Sequence, residues 1–219
     1  MNRIDLIASL AKNSNCVLDV GCDHAYVLIK ALLDYNCKRG IASDINMGPL
    51  NTALQNIRQK DLESRIKIVL SDGLKNISDD FDTVIIAGMG GNLIKNIINE
   101  SKDKLENKRM ILEPNNDQAL VREYLMNNDF MIIDEYAIYD MNKYYEIIVC
   151  KSGICKYTDY ELKYGPILLR KRMDDYLKFY NAKANLLKEI INNVTSLEVK
   201  KEKENELLQI NKYILNLNN

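Results

Sequence analysis

The sequence predicts a doubly wound α/β domain on a mostly parallel seven-strand sheet, followed by an antiparallel helical hairpin. Two observations predict it. Over the first 155 residues, apolar runs of four to six residues alternate with segments of helical spacing, and strands that are apolar throughout belong to a sheet covered on both faces. Beyond residue 160 such runs stop, and apolar residues recur at steps of three and four, the period of a helix. With 47% apolar and 28% charged residues, the chain carries enough core to fold without staples.

Strand-like runs occupy residues 16–20, 40–43, 66–70, 83–87 and 109–113, and helical segments 26–34, 48–60, 92–101 and 118–127 fill the intervals. Strand–helix–strand connections of this kind are right-handed and make the sheet parallel. Runs at 131–138 and 146–150 have little helix between them, so they read as an antiparallel hairpin at the sheet edge. From Tyr160 a helix is expected with Leu169, Met173, Tyr176, Tyr180, Ala184, Leu187, Ile191 and Val194 on one stripe, and Pro166 in its first turn, where proline is tolerated. After a break near 192–196, a second helix carries Leu207, Ile210, Ile214 and Leu217. The pair forms a hairpin of coiled-coil type. The chain is thus expected to divide into residues 1–156 and 157–219.

Composition narrows the function classes. The five cysteines include no CxxC pair, there is one histidine, His24, and a zinc site is not expected. No secretory signal or run of 18 apolar residues is present, so reduced thiols in a cytoplasmic protein are expected. Residues 156–219 carry twelve Lys and Arg against nine Asp and Glu, a net of +3, which leaves −4 on the rest of a chain whose total is −1. Arg170, Lys171 and Arg172 are consecutive, with Lys163, Lys178 and Lys183 nearby. Such a run suits a solvated helix face, or a stripe that binds phosphates.

In an open α/β sheet the ligand lies at the carboxyl ends of the strands. The first strand ends in "DVGCDHA", the second in "ASDIN", the third in "LSDGL", the fourth in "IIAGMGG" and the fifth in "LEPNND". Asp44, 25 residues after Asp19, suits the hydroxyls of a ribose or a helix cap. Asp72 beside Gly73 suits an adenine amine or a plain turn. Jointly, three successive strands end in Asp, and the first loop holds one glycine followed by another acid, Asp23. A pyrophosphate needs a glycine-lined, acid-free helix start, which disfavours NAD. An adenosine bearing a sulfonium and an amino acid suits the acids, which points to S-adenosylmethionine.

The segments "VLDVGCDHAY", "SDIN", "SDGL", "IIAGMGG", "LEPN" and "YYEIIV" together resemble the bacterial tRNA (adenine-N1)-methyltransferase family that modifies adenine 22, over essentially the whole chain. The resemblance implies a Rossmann-like class I methyltransferase sheet with a C-terminal coiled coil. It implies S-adenosyl-L-methionine as cofactor and tRNA, with the target adenine in the D-loop region, as partner, with no membrane, metal or protein partner. It places Asp19, Gly21, Asp23 and His24 around the methionine part, Asp44 on the ribose, Ile45 against the adenine face, and Asp72 and Gly73 on the adenine edge. Gly88 and Met89 stand where amino-methylating relatives carry an Asn/Asp-Pro-Pro-aromatic motif. Adenine N1 already presents an in-plane lone pair, so positioning supplies most of the catalysis. Asn115 and the Gly88 carbonyl are candidate acceptors for the N6 amine, Met89 a wall of the base pocket, and Tyr26 a stacking partner. Each has a plainer role: Met89 in packing, His24 at a helix start, Asn115 in shaping its loop, Tyr144 and Tyr145 at a strand edge, Glu146 paired with a lysine. Arg170, Lys171, Arg172 and Lys178 are the expected RNA contacts. Three other functions fit parts of the pattern: methylation of a small molecule, a cofactor-binding scaffold, and an NAD oxidoreductase.

Overall fold

The computed structural model describes residues 1–171 and 174–218; Arg172 and Met173 of the expected basic run and apolar stripe lie outside the described residues. The elements are α1 (Arg3–Leu10), β1 (Cys16–Val20), α2 (Tyr26–Asp34), β2 (Arg39–Asp44), α3 (Met47–Arg58), β3 (Ile66–Leu70), β4 (Thr83–Met89), α4 (Gly91–Glu100), α5 (Lys102–Leu105), β5 (Arg109–Pro114), α6 (Gln118–Met126), β6 (Phe130–Asp140), β7 (Lys143–Ser152), α7 (Asp159–Tyr164), α8 (Leu168–Lys171), α9 (Asp174–Asn193) and α10 (Leu197–Asn218). The seven strands run in the order β3-β2-β1-β4-β5-β7-β6. Strands β1 to β5 are parallel, and the β6–β7 hairpin closes the edge antiparallel.

Successive residues of a strand face opposite ways, and the apolar strands use both faces. Val17, Ile85, Ile111 and Ile147 pack with α1, α2 and α3, while Leu18, Ile86, Leu112 and Ile148 pack with α4 and α6. The first of these helices, α1, was not expected from periodicity. Its start is set by Asn2, whose Oδ1 accepts from Asp5 N at 2.8 Å, a side-chain cap of the usual kind.

The helical arm departs from expectation at one point. A single helix from Tyr160 was expected; instead the chain turns at Gly165 (φ 82°) between α7 and α8. A Cβ there would lie 2.9 Å from both Arg122 Nη2 and Glu135 Oε2, so only glycine lets the arm pass this close. Pro166 consequently sits in the turn before α8, not in a first helical turn. The neighbour that demands the turn is a buried ionic hub. Arg122 of α6 donates from Nε to Glu135 Oε1 at 2.7 Å, from Nη2 to Glu146 Oε2 at 2.5 Å, and from Nη1 to the Leu162 carbonyl at 3.2 Å. Glu135 Oε2 accepts from the backbone of Ile167 and Leu168. Glu146 therefore pairs with a buried arginine, not with a lysine.

Beyond the hub, α9 and α10 bury Tyr176, Tyr180, Ala184 and Leu187 against Ile210 and Tyr213, with Tyr164 and Leu168 closing the core. Tyr144 does more than pack a strand edge. Its ring stacks on Phe179 of α9 at 4.1 Å, which seats the arm on the β6–β7 hairpin.

Candidate active site

The strand order reverses between β1 and β4: β2 and β3 extend to one side, β5 to the other. The crevice at their carboxyl ends is where an open α/β sheet binds its ligand. Gly21 follows β1 with φ 71°, and a Cβ on it would lie 2.2 Å from Met89 Cε. Its N–H and that of Cys22 both donate to the Ser43 carbonyl, at 2.8 and 2.9 Å. The loop thus ties β1 to β2, and the Met89 side chain packs into the space that a Cβ on Gly21 would take.

Asp19 lies buried at the base of this crevice. Loss of water, with the negative charge of Asp44 added, raises its carboxyl to about 7, so half the molecules hold it neutral near that pH. Asp44 Oδ1 accepts from Asn46 N at 2.9 Å. The N-cap of α3 is Asn46, whose own side chain makes no capping bond, so Asp44 is not the cap residue of that helix. Asp72 pairs with Lys75, which also reaches Glu100 at 3.3 Å.

At Gly88 the β4–β5 ladder breaks its register, a bulge of the kind found beside functional sites. Gly88 has φ 74°, and both its polar groups leave the ladder. Its N–H donates to Glu113 Oε2 at 2.9 Å, and its carbonyl accepts from Asn115 Nδ2 at 2.7 Å. Asn115 and the Gly88 carbonyl, both expected as candidate acceptors for the N6 amine, are thus hydrogen-bonded to each other. Glu113 is fully buried, and burial raises its carboxyl although Arg3 opposes the shift. Arg3 Nη1 donates to the same Oε2 at 2.6 Å.

Two cavities meet over this peptide. One, of about 270 Å³, is lined by Asp44, Ile45, Asp72, Gly73 and Met89; the other, of about 340 Å³, by Arg3, Asp19, Asp23, His24 and Tyr26. Gly21, Ala87 and Gly88 line both. The expected cofactor residues are therefore brought together, in two groups on either side of Gly21. The expected catalytic residues are divided. Met89 faces the first cavity and Tyr26 the second, while Asn115 opens on a third cleft beside Tyr144 and Phe179. Gly88 links them. His24 Nε2 lies 3.4 Å from Asp23 Oδ1, and its Nδ1 is buried without a partner.

The match to known proteins is decided over the whole chain. A family model described as "TrmK: tRNA (adenine(22)-N(1))-methyltransferase" matches residues 17–218. The chain belongs to this family. It is 32% identical over 216 residues to the tRNA (adenine(22)-N(1))-methyltransferase of Bacillus subtilis (strain 168), covering 94% of this chain and 91% of that protein. A Streptococcus pneumoniae protein solved in complex with S-adenosyl-L-methionine superposes with a TM-score of 0.88 at 30% identity, over 98% of this chain and 100% of that one. The M. capricolum TrmK solved with S-adenosyl-homocysteine gives a TM-score of 0.85 at 26% identity, over 98% and 97%.

In this TrmK-family fold, acids line both halves of the crevice: Asp44 and Asp72 in one, Asp19 and Asp23 in the other. Gly21, Ala87 and Gly88 are shared between the two cavities, and the Met89 side chain packs over Gly21. Among the described residues, no cluster of His, Cys, Asp or Glu could hold a metal, and no helix is long and apolar enough to cross a membrane. On the arm, Arg170 and Lys178 are 72% and 77% exposed, with loose pairings to Glu161 at 3.8 Å and Asp175 at 3.7 Å. Lys171 is held by contacts within the protein although its side chain is 31% exposed. It pairs with Asp134, donates to the Glu135 carbonyl at 2.9 Å and lies 3.7 Å over the Tyr136 ring. Sequence reasoning missed Arg3 and Glu113. The signal for Glu113 was an acid inside the apolar run "MILEP"; Arg3 gave none, because α1 was not expected.

Proposed function

We propose that this chain methylates N1 of adenine 22 in the D-loop region of tRNA, using S-adenosyl-L-methionine, in the cytoplasm. The observation that carries the reading is the crevice at the β1/β4 switch, where Asp19, Asp44 and Asp72 end three neighbouring strands around a side-chain-free Gly21. Asp44 takes the ribose, Ile45 the adenine face, and Asp72 with Gly73 the adenine edge. Asp19, Asp23 and His24 surround the methionine part.

The bound cofactor supplies a methyl group made electrophilic by its sulfonium. The protein's part is to bring N1 in line with it. N1 lies on the pairing edge, so the target base must leave its stack. Tyr26, exposed at the rim, stacks on it, and Met89 and Gly88 wall the approach. Asn115 Nδ2 is committed to Gly88, which leaves Oδ1 as the acceptor for the N6 amine as positive charge spreads onto the ring. No base is needed, because N1 carries no proton to remove.

Residues 157–219 form the element that grips tRNA, and residues 1–156 the catalytic domain. Arg170, Lys178 and Arg172 meet phosphates, with Lys171 fixing the base of the stripe, and the arm reads shape and backbone. The test is direct. Incubation with labelled cofactor and unmodified tRNA, followed by nucleoside mapping, is expected to give 1-methyladenosine at position 22. Absence of that nucleoside from every tRNA with adenine at that position refutes the reading.

A further inference from the structure

The third cleft, of about 340 Å³, lies where the arm meets the catalytic domain, and the cofactor has no use for it. Tyr164, Tyr180 and Ile210, all buried, form its floor, and the exposed Asn115, Asp117 and Lys163 stand at its rim. Its charges are unevenly answered. Glu146 is held by Arg122, and Glu206 by Lys183 at 2.9 Å. The two rim charges have no opposite charge beside them among the described residues. Asp117 is the N-cap residue of α6, yet its side chain makes no capping bond. Lys163 donates to Gln209 Oε1 at 2.5 Å and lies 5.4 Å over the Tyr164 ring. Tyr144 and Tyr164, which also line the cleft, each carry a buried hydroxyl without a partner among the described residues, a cost that a polar occupant offsets.

An acceptor, a cation and an aromatic floor match the three parts of a nucleotide: base edge, phosphate and ring. The place of the cleft says which nucleotide. Asn115 stands on its rim, and Asn115 Nδ2 donates at 2.7 Å to the carbonyl of Gly88, the residue that lines both halves of the crevice. The cleft therefore begins one side chain away from the proposed methylation site, on the side of the arm. An RNA strand held by the arm, with one base in the crevice, carries its next nucleotide over this cleft. That neighbour loses a stacking partner when the target base leaves the helix, and an aromatic floor replaces it.

We propose that the cleft takes the nucleotide adjacent to the target adenine, with its base against Tyr164 and Tyr180, its base edge on Asp117 and its phosphate at Lys163. A carboxylate only accepts hydrogen bonds, so the edge it meets presents an amine or an imino N–H. The proposal rests on the function proposed above and adds a second subsite, through which the enzyme reads a base that it does not modify.

Rates of 1-methyladenosine formation are measured on unmodified full-length tRNA and on two versions in which the nucleotide on the 5′ or the 3′ side of the target is abasic. The wild-type chain, Asp117→Gly and Lys163→Ala are compared. Residue 117 has φ 54°, which glycine adopts freely, and Lys163 is exposed, so both variants are expected to fold; Asp117→Asn takes the place of Asp117→Gly should that fail. For one of the two neighbours, the abasic site is expected to lower wild-type kcat/KM about 10- to 100-fold, the size of one base contact. Asp117→Gly is expected to lose about 10-fold on intact tRNA, and its further loss on that abasic version to be smaller by the same factor, because the contact is already gone. Lys163→Ala is expected to weaken both versions alike, since an abasic nucleotide keeps its phosphate. Losses from Asp117→Gly and the abasic site that simply multiply overturn the proposal. So does a wild-type chain indifferent to both abasic sites, or a Lys163→Ala chain with unchanged rates. A wild-type chain that methylates none of the three RNAs refutes the function proposed above, and the subsite with it.

Discussion

Replacing Asp19 by Asn is expected to stabilise the free protein at alkaline pH while abolishing cofactor binding. The folded carboxyl titrates near 7, against about 3.9 in an unfolded chain. Because the folded value is the higher one, the group costs nothing below about pH 4; its cost grows as pH rises from 4 to 7 and is complete above that. Three units correspond to about 4 kcal/mol at pH 8 and about 1.5 kcal/mol at pH 5. The amide removes that cost but buries a carboxamide without an assured partner, at about 1–3 kcal/mol. The net gain is roughly 1–3 kcal/mol at pH 8, a rise in melting temperature of roughly 3–9 °C for a chain of this size, and none at pH 5. Thermal denaturation of both proteins at the two pH values measures it. S-adenosylhomocysteine is expected to raise the wild-type melting temperature and leave that of Asp19→Asn unchanged, since the ammonium loses its counter-charge. A gain of equal size at both pH values, or a loss at pH 8, refutes the buried-charge reasoning.

Asp44→Ala removes a carboxylate whose one bond is local, to Asn46 N, so calorimetry is expected to show cofactor affinity falling about 10- to 100-fold with the melting temperature within a few degrees of wild type. Arg122→Met strands Glu135 and Glu146 in the hub and is expected to cost about 3–5 kcal/mol in urea denaturation; replacing all three by apolar residues of similar volume restores most of it. Arg170→Ala with Lys178→Ala is expected to weaken tRNA binding, reduce its salt dependence by about two phosphate contacts, and leave stability unchanged. Lys171→Ala, by contrast, is expected to lower the denaturation midpoint as well, because its ammonium is tied to Asp134 and the Tyr136 ring.

The sheet was legible because its strands are buried on both faces: Leu18, Ile86 and Ile148 serve one layer, and Val17, Ile85 and Ile147 the other, so each strand reads as an unbroken apolar run. The convergence of the candidate cofactor residues on one crevice was legible for a related reason. Asp19, Asp44 and Asp72 end consecutive strands, and parallel topology forces consecutive strand ends to one edge. What periodicity could not supply was partnership across the sequence. Arg3 meets Glu113 over 110 residues, and Arg122 meets Glu146 over 24. No local pattern announces either pair. Gly165 was invisible for the same cause, since its need for glycine comes from the hub across from it and not from its neighbours in the chain.

The hub and the site are joined through α6. Its first turn follows residues 115–117, where Asn115 holds the Gly88 carbonyl and Asn116 Oδ1 accepts from Gly91 N at 3.0 Å; its second turn carries Arg122, which holds the arm through Leu162 and Glu135. A Cβ on Gly91 would lie 2.8 Å from the Asn116 carbonyl, so the loop, the start of α4 and the bulge at Gly88 are packed without slack. One helix of nine residues therefore connects the element proposed to grip RNA with the peptide proposed to wall the target base. Close-packed interiors transmit displacement. On the proposed function the arm is part of the geometry that presents N1, and a displaced hub is expected to change turnover and tRNA affinity together, whereas loss of the exposed cations is expected to change affinity alone.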